Sequence, residues 1–281
     1  MKIAVTGATG FIGRHVLAEL ETRSVETIAI ARPSTAKPLG PSGNRVVQLD
    51  LHNTQPNAFE LMGRPDVLIH LAWSGLPNYK SLHHFEQELP AQFRFLNTLI
   101  KSGLQALVVA GTCFEYGMQS GSLSEDIVPQ PINPYGFAKD ALRSQLEYLK
   151  AIHPFQLTWG RLFYLYGEGQ AENSLLPQLR QAVKRGDPFF NMSGGEQLRD
   201  YLPVDEVARH LVLLALTKKD IGPVNVCSGT PISVRRLVES WVKEYGWSIK
   251  LNLGHYPYPD YEPMAFWGDS KKLSTLIGKT T

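Results

Sequence analysis

The stretch Thr6-Gly7-Ala8-Thr9-Gly10-Phe11-Ile12-Gly13 decides the fold of this chain. It follows the apolar run 3–5 and opens an amphipathic segment that continues to residue 20, so it predicts a strand, a glycine turn and a helix start in that order. Gly7 can adopt backbone angles that a side chain would forbid, while Gly10 and Gly13 let a pyrophosphate and the helix approach the backbone closely. Free N–H groups at the helix N-terminus would face such an anion. The candidate residues for this dinucleotide cradle are Gly7, Thr9, Gly10, Phe11, Ile12 and Gly13.

Composition limits the class of protein. The chain has 281 residues, of which 43% are hydrophobic and 19% charged, values typical of a soluble globular protein. The net charge is +2, and like charges are scattered, so no nucleic-acid partner is expected. No apolar stretch approaches the ~18 residues of a membrane span. Cys113 and Cys227 are isolated thiols without metal-ligand spacing, so we expect no metal site and a reduced, cytoplasmic setting.

Apolar runs alternate with helical patterns through the first part of the chain. Strands are predicted at 2–6, 27–31, 45–49, 66–71, 106–111 and 156–162. Helices are predicted at 10–20, 85–102 and 135–153. This alternation predicts an α/β fold, a Rossmann-type doubly wound parallel sheet with helices on both faces.

The pattern changes after residue 167. Helices are predicted at 172–185 and 204–216, and the apolar residues of 234–245 recur at the spacing of one helix face. We therefore divide the chain into a dinucleotide-binding domain, 1–165, and a smaller substrate-binding lobe, 166–281. The segment 204–232 is a candidate for returning to the first domain.

The ends of the predicted strands bear on the choice of cofactor. NAD-binding domains usually place an acidic side chain about 20 residues after the glycine turn, where it holds the ribose 2′-hydroxyl. Arg32 stands there instead, and a guanidinium suits a 2′-phosphate, so NADP is favoured over NAD unless Arg32 is only a solvated charge. Asp50 and Leu51 are candidates for adenine contacts. The alternative for Asp50 is a structural role in a turn. Leu71 and Ala72 would lie beside the pyrophosphate and the nicotinamide ribose.

A tyrosine and a lysine lie four residues apart on a predicted helix. Tyr135 and Lys139 follow Pro134, which suits a helix start, and their side chains share one face. An ordinary tyrosine has a pKa of about 10, and positive charge from Lys139 and an oxidised nicotinamide would lower the pKa of this phenol. Tyr135 could then exchange a proton with a sugar hydroxyl or ketone. Thr112 ends the fifth predicted strand, where ligands bind in such sheets. As an alternative, Tyr135 and Lys139 would be a plain surface pair on a helix. Thr112 would then be an ordinary strand residue, since threonine is common in strands.

Six motifs, taken in order, resemble the extended short-chain dehydrogenase/reductase family and its NAD-dependent epimerase/dehydratase branch, which acts on nucleotide sugars. They are TGATGFIG, HLA, TCFEYG, PYGFAK, RLFYLYGEGQ and LRDYLPVDEVA. The resemblance implies that Thr112, Tyr135 and Lys139 form the catalytic group. It also implies that Lys139 holds the nicotinamide ribose and that Arg199 grips the diphosphate of the sugar nucleotide. A homodimer through helices 85–102 and 135–153 is implied as well.

Departures from the family pattern narrow the expected reaction. Cys113 and Phe114 stand where the dehydratases carry a carboxyl–carboxylate pair, so dehydration is not expected. The phrase 71–79 is similar to small nucleotide-6-deoxysugar 4-ketoreductases and would place Trp73 and Tyr79 over the sugar; a plain surface connection is the alternative. Tyr261, among the late aromatics, could line the sugar site or seal the lobe. The candidate substrate contacts are Trp73, Thr112, Cys113, Phe114, Tyr164 and Arg199.

The resulting hypothesis is an NADPH-dependent reductase that takes a nucleoside-diphosphate 4-keto-6-deoxyhexose. Hydride would reach C4 while Tyr135 donates a proton to O4 and Thr112 holds the same oxygen. Two alternatives stay open. One is a nucleotide-sugar 4-epimerase with tightly bound NAD, and the other is a non-catalytic NADP-sensing Rossmann protein, which would not need the tyrosine–lysine pair.

Overall fold

A computed structural model of the protein describes residues 1–33 and 45–278. The strands in these ranges are β1 (Lys2–Thr6), β2 (Glu26–Ala31), β3 (Arg45–Gln48), β4 (Val67–His70), β5 (Ala106–Thr112), β6 (Gly121–Leu123), β7 (Gln156–Leu162), β8 (Tyr164–Tyr166), β9 (Phe189–Asn191), β10 (Leu198–Pro203), β11 (Gly222–Val226), β12 (Pro231–Ser233), β13 (Lys250–Asn252) and β14 (Phe266–Gly268). The α-helices are α1 (Phe11–Glu21), α2 (Ala58–Leu61), α3 (Leu89–Lys101), α4 (Pro134–Ile152), α5 (Leu175–Arg185), α6 (Val204–Thr217), α7 (Val234–Glu244) and α8 (Lys271–Ile277). A π-helical turn, His84–Glu88, leads into α3, and a 3₁₀ turn, Cys113–Tyr116, follows β5.

A parallel sheet in the order β11-β7-β5-β4-β1-β2-β3 forms the centre of the structure. From β1 the chain first adds β2 and β3 on one side and then β4, β5 and β7 on the other, so the strand order reverses between β1 and β4. Open α/β sheets bind ligands in the crevice at the carboxyl ends of the two strands where this reversal occurs. The predicted Rossmann-type α/β fold is confirmed. Strand β11 pairs with β7, and α6 packs on α1, so these later elements lie with the first ones. The domain boundary at residue 165 stays a prediction.

Both faces of this sheet are buried. Ile3 and Val5 pack into a core with α1 and α6, whereas Ala4, which points to the other face, packs into a core with α3 and α4. Burial on both faces explains why the strands read as nearly continuous apolar runs rather than as alternating ones.

A separate core forms among residues 166–251, and several short sheets lie outside the central sheet. Helices α5 and α7 pack around Trp241 and Leu179. The short sheets have the orders β12-β10-β8, β13-β9 and β14-β6. Most of their strands have three residues, too few to show a hydrophobic period, and none of these strands was predicted from the sequence.

Two predicted helices begin later than expected. The pattern at 85–102 is interrupted, because the π-helical turn precedes α3, and the pattern at 172–185 becomes helical only at Leu175, after the N-cap Ser174. Across the described ranges, 1–33 and 45–278, the helices are too short or too polar to cross a membrane.

Candidate active site

The glycine turn between β1 and α1 packs tightly against the end of β4. Gly7 has φ +67°, and a Cβ there would lie 2.9 Å from the backbone nitrogen of Ala72. A Cβ at Gly13 would lie 2.1 Å from the carbonyl oxygen of Gly7, so a side chain at either position would force the turn to move. Helix α1 has Gly10 as its N-cap and opens with uncharged residues and Arg14. Its N-terminus is therefore suited to a phosphate group.

A groove of about 1230 Å³ extends from this turn along the carboxyl ends of the strands to Gln170, Leu175 and Tyr261. The predicted cofactor residues on its wall are Gly7, Thr9, Gly10, Phe11, Ile12, Gly13, Arg32, Asp50, Leu51, Leu71, Ala72 and Tyr135. The predicted substrate residues on its wall are Trp73, Thr112, Cys113, Phe114 and Tyr164. Lys139 and Arg199 are buried behind this wall, where Lys139 contacts the ring of Trp73 and Arg199 lies beside that of Tyr164.

One end of the groove is formed by the residues after β2 and β3. Arg32 and Asp50 are exposed there. Asp50 Oδ1 accepts a hydrogen bond from the backbone N–H of His52 at 3.0 Å, which is a turn contact. His52 Nε2 lies 2.7 Å from Oε1 of the buried Glu88, which also accepts from the N–H and the hydroxyl of Ser74. Glu88 therefore joins the loops after β3 and β4. Sequence reasoning missed it, although a carboxylate within an apolar helix pattern was the available signal.

The tyrosine and the lysine are held by the start of α4. Asn133 caps the helix, because its Oδ1 accepts the backbone N–H of Gly136 at 2.8 Å. The backbone N–H of Tyr135 donates to the carbonyl of Tyr79 at 3.2 Å. One helical turn later, Lys139 Nζ donates to the carbonyl oxygen of Ala110 in β5 at 2.8 Å. Helix α4 is thus fixed against the end of β5, and both side chains are buried beside the groove.

Thr112 stands at the end of β5 and caps the 3₁₀ turn that follows it. Its hydroxyl oxygen accepts the N–H of Phe114 at 3.3 Å, and its own N–H donates to Glu115 Oε1 at 2.9 Å. Glu115 is fully buried and also accepts from Trp159 Nε1 at 2.9 Å and Arg161 Nε at 2.8 Å. The carboxylate of Glu115 therefore braces the turn that presents Thr112, and it does not face the groove.

Burial changes the acid–base character of the catalytic group. It raises the pKa of the Tyr135 phenol, and the hydrogen bond with Thr112 opposes this shift. Burial lowers the pKa of Lys139 to about 7, against the opposing charges of Glu115 and Glu88. The tuning of this phenol toward neutrality by Lys139 and an oxidised nicotinamide stays a prediction, and it must overcome the effect of burial.

Aromatic rings surround the phenol of Tyr135. Its ring centroid lies 5.2 Å from that of His84, 5.6 Å from Tyr79, 6.1 Å from Trp73 and 6.3 Å from Phe114. Trp73 and Tyr79 come from the loop after β4, His84 from the π-helical turn and Phe114 from the 3₁₀ turn, so three segments converge on one side chain. His84 was not predicted. Its position just before an apolar helix pattern offered no chemical signal.

Arg199 does not line the groove. Its guanidinium pairs with Glu262 at 2.9 Å and donates to the carbonyl oxygens of Leu198 and Met264 at 2.8 and 3.2 Å. Tyr164, which does line the groove, donates its hydroxyl proton to the same Glu262 carboxylate. Sequence reasoning did not predict Glu262. Its carboxylate pairs with Arg199, the residue that the sequence suggested as the partner of a diphosphate.

Comparison with known proteins identifies relatives over nearly the whole chain. A family model described as "NAD dependent epimerase/dehydratase family" matches residues 3–227. The dTDP-6-deoxy-L-talose 4-dehydrogenase (NAD(+)) of Aggregatibacter actinomycetemcomitans is 30% identical over 95% of this chain and 99% of its own length. The dTDP-6-deoxy-L-talose 4-dehydrogenase (NAD(P)(+)) of Kitasatospora kifunensis is 27% identical over 92% of this chain and 83% of its own.

The comparison with solved structures also finds a nucleotide-sugar enzyme with a similar fold. UDP-glucuronic acid 4-epimerase from Bacillus cereus, in complex with UDP-glucuronic acid and NAD, superposes with a TM-score of 0.82 at 25% sequence identity. The alignment covers 100% of this chain and 94% of that one. The family resemblance drawn from the six motifs is confirmed.

Proposed function

The chain belongs to the NAD dependent epimerase/dehydratase family, and from that premise we propose that it is an NAD(P)-dependent 4-ketoreductase of nucleoside-diphosphate 4-keto-6-deoxyhexoses. The same enzyme would run in reverse as a 4-dehydrogenase. The observation that carries the proposal is the meeting of Thr112, Tyr135 and Lys139 beside one groove whose other end is the glycine turn. The intact group argues against a protein that only senses NADP.

Tyr135 acts as the general acid in reduction. The nicotinamide group, when bound, supplies the hydride to C4. Tyr135 donates its phenolic proton to O4, and the hydroxyl of Thr112, whose oxygen accepts from the Phe114 N–H, keeps its own proton for a second hydrogen bond to O4. The ammonium of Lys139 stabilises the phenolate that remains. A positioned acid of this kind accelerates proton transfer by about 10²–10⁴-fold.

Aromatic rings favour a deoxysugar next to this group. The rings of Phe114, Tyr79 and Tyr261 lie within 4.8 to 6.3 Å of one another, centroid to centroid, on the wall beside Tyr135. An apolar methyl at C6 can pack against these ring faces. The absence of an acidic pair directly after Thr112 in the sequence argues against dehydration.

The glycine turn fits the pyrophosphate of a dinucleotide, because the missing side chains of Gly7 and Gly13 allow the close backbone packing that brings the N-terminus of α1 to the groove. Arg32 is exposed at the end of β2, where the ribose of the adenosine would bind, and its guanidinium favours a 2′-phosphate. We therefore propose NADPH as the preferred reductant, with NADH as the second. One relative is named for NAD(+) and another for NAD(P)(+), so the family contains both preferences.

Arg199 remains the proposed partner of the substrate diphosphate. Its guanidinium offers paired N–H donors of the geometry that phosphate oxygens accept. Because Glu262 holds it at 2.9 Å, a diphosphate would have to displace this carboxylate. Binding of the nucleotide would then also release the hydroxyl of Tyr164, which faces the groove.

A homodimer through α3 and α4 is part of the proposal. Helix α4 exposes Phe137, Tyr148 and Ile152, with relative exposures of 51, 78 and 74%. Three large apolar side chains on one exposed helix fit association with a second copy. Sedimentation at low and high protein concentration would show a dimer, and a monomer at all concentrations would exclude it.

The experiment that tests the function is reductant consumption against a panel of sugar nucleotides. We expect oxidation of NADPH, and slower oxidation of NADH, with 4-keto-6-deoxyhexoses carried by dTDP, GDP or CDP, and NMR would give the configuration at C4. UDP-glucose and UDP-galactose serve as matched controls with an oxygen at C6. Interconversion of these two by protein that retains NAD through purification, without consumption of added NADPH, would contradict the proposal and indicate a 4-epimerase.

A further inference from the structure

A chain of contacts leads from the π-helical turn to the ammonium of Lys139. The indole N–H of Trp73 donates to His84 Nδ1 at 3.1 Å, and His84 Nε2 lies 2.8 Å from the carbonyl oxygen of Asn78. The ring of Trp73 in turn lies under Lys139, whose Nζ is 3.9 Å from the ring centroid. These contacts serve neither the dinucleotide cradle nor the brace at Glu115. They end at the Lys139 ammonium, which would place a positive charge next to the phenol of Tyr135.

The partners of His84 determine its protonation. An indole N–H can only donate, so Nδ1 of His84 must accept and carries no hydrogen. The hydrogen therefore sits on Nε2, where it is donated to the Asn78 carbonyl. A second proton on Nδ1 would face the N–H of Trp73 and remove the bond that holds the indole. Only the neutral imidazole fits both neighbours.

We propose that His84 is a positioning residue of the active site, which holds the indole face of Trp73 against the ammonium of Lys139 and so keeps that charge beside Tyr135. The inference rests on the proposed roles of Tyr135 and Lys139, but it does not depend on which sugar is the substrate. The π-helical form of the turn supports it, since such turns are frequent at functional sites.

The electrostatics of Lys139 explain why this position needs support. Burial lowers the pKa of Lys139 to about 7, so its charged form is disfavoured at this site. Two contacts favour the charged form, namely the Ala110 carbonyl and the electron-rich face of Trp73. If the indole moved away, the cation would lose one of these two contacts, and its charged form beside the phenolate would become less favourable.

The groups around His84 keep it neutral. Lys139 and Tyr135 face it from α4, and His83 and Glu88 belong to its own turn. Burial, together with the charges of His83 and Lys139, lowers the pKa of His84 below its ordinary 6.5, while the Asn78 carbonyl and Glu88 oppose the shift. His84 therefore holds the indole throughout the neutral range.

The test is the ionisation of Tyr135 itself, followed by tyrosinate absorbance in the complex with NAD⁺. The difference between the wild type and Tyr135→Phe isolates this phenol from the other tyrosines. In a His84→Phe background, the same difference should show the apparent midpoint raised by up to about 1.5 pH units, the shift that corresponds to the loss of a desolvated cation–π contact of ~2 kcal/mol. His84→Asn, whose amide oxygen can accept the indole N–H, should bring the midpoint back toward the wild-type value.

Two further variants make the result decisive. Trp73→Phe keeps a ring but loses the donor, so it should raise the midpoint too, and the double variant with His84→Phe should add nothing further. An unchanged midpoint in His84→Phe with unchanged NAD⁺ affinity, or additive shifts in the double variant, would overturn the proposal. If the midpoint moves as expected but 4-keto sugars are not reduced, the proposed function fails and the role of His84 stands.

Discussion

The buried ion pair of Glu115 and Arg161, behind Thr112, should contribute strongly to the stability of the fold. Glu115→Gln keeps the shape of the side chain and removes its charge. The pair with Arg161 has side-chain exposures of 0% and 1% and a Nε–Oε2 distance of 2.8 Å, so the change leaves a guanidinium buried without a counter-charge. Breaking one side of such a buried pair costs about 3–5 kcal/mol.

The hydrogen bonds of Glu115 explain why glutamine cannot substitute. Oε1 accepts from the Thr112 N–H and the Trp159 indole, both at 2.9 Å, and the amide oxygen of glutamine can retain these two bonds. The amide N–H₂ would then face Arg161 Nε, donor against donor. Since native proteins are stable by about 5–15 kcal/mol, a loss of about 3–5 kcal/mol is roughly a fifth or more of the free energy of unfolding.

The assay is urea unfolding followed by circular dichroism, with midpoints compared at a common slope. The matched control is Glu239→Gln, which breaks an exposed pair with Arg235 at the same 2.7 to 2.8 Å separation and should change the free energy of unfolding by less than about 1 kcal/mol. Glu115→Gln combined with Arg161→Met should be more stable than Glu115→Gln alone. A loss for Glu115→Gln no greater than that of the control would refute this reasoning.

Further expectations concern the cofactor, the diphosphate and pH. Gly7→Ala should abolish NADPH binding in a fluorescence titration, because its Cβ would lie 2.9 Å from a backbone nitrogen. Gly186→Ala, where a Cβ meets no described atom within 4 Å, should retain NADPH binding. Equal NADPH affinities of the two variants would contradict this expectation. Glu262→Gln should tighten nucleoside-diphosphate binding by up to about tenfold in calorimetry, since it removes the carboxylate that competes for Arg199, and unchanged or weaker binding would exclude that competition. Lys139→Met should remove a rise of up to ~1.4 kcal/mol per pH unit in the free energy of unfolding between about pH 7 and 10, because the unfolded chain keeps a proton that the folded lysine releases near pH 7. Parallel pH curves for the two proteins would contradict the burial of that charge.

Local patterns were sufficient to predict the Rossmann-type sheet and its cradle. Gly7 and Gly13 signal backbone positions where a side chain does not fit, and the sequence displays that requirement directly. The two-sided burial of the central strands likewise appears as apolar runs. Three-residue strands such as β8 and β14 depend on distant partners, so their own residues carry too little pattern to predict them.

The candidate site was predictable where its residues belong to motifs. Tyr135 and Lys139 share a helix face, which sequence spacing reveals. His84, Glu88 and Glu262 belong to no motif, and their contacts depend on how the fold arranges the loops around them. The acidity of Tyr135 also required the structure, because spacing shows a neighbouring charge but not the desolvation that opposes it.

Replacement of the phenol oxygen at position 135 examines the proposed chemistry most directly. Tyr135→Phe keeps the ring and its aromatic neighbours and removes the proton that would pass to O4. We expect kcat for a 4-keto-6-deoxy sugar nucleotide to fall by about 10²–10⁴-fold while the Kd for NADPH stays within about twofold of the wild type. Wild-type turnover by this variant would contradict a role for Tyr135 as the proton donor.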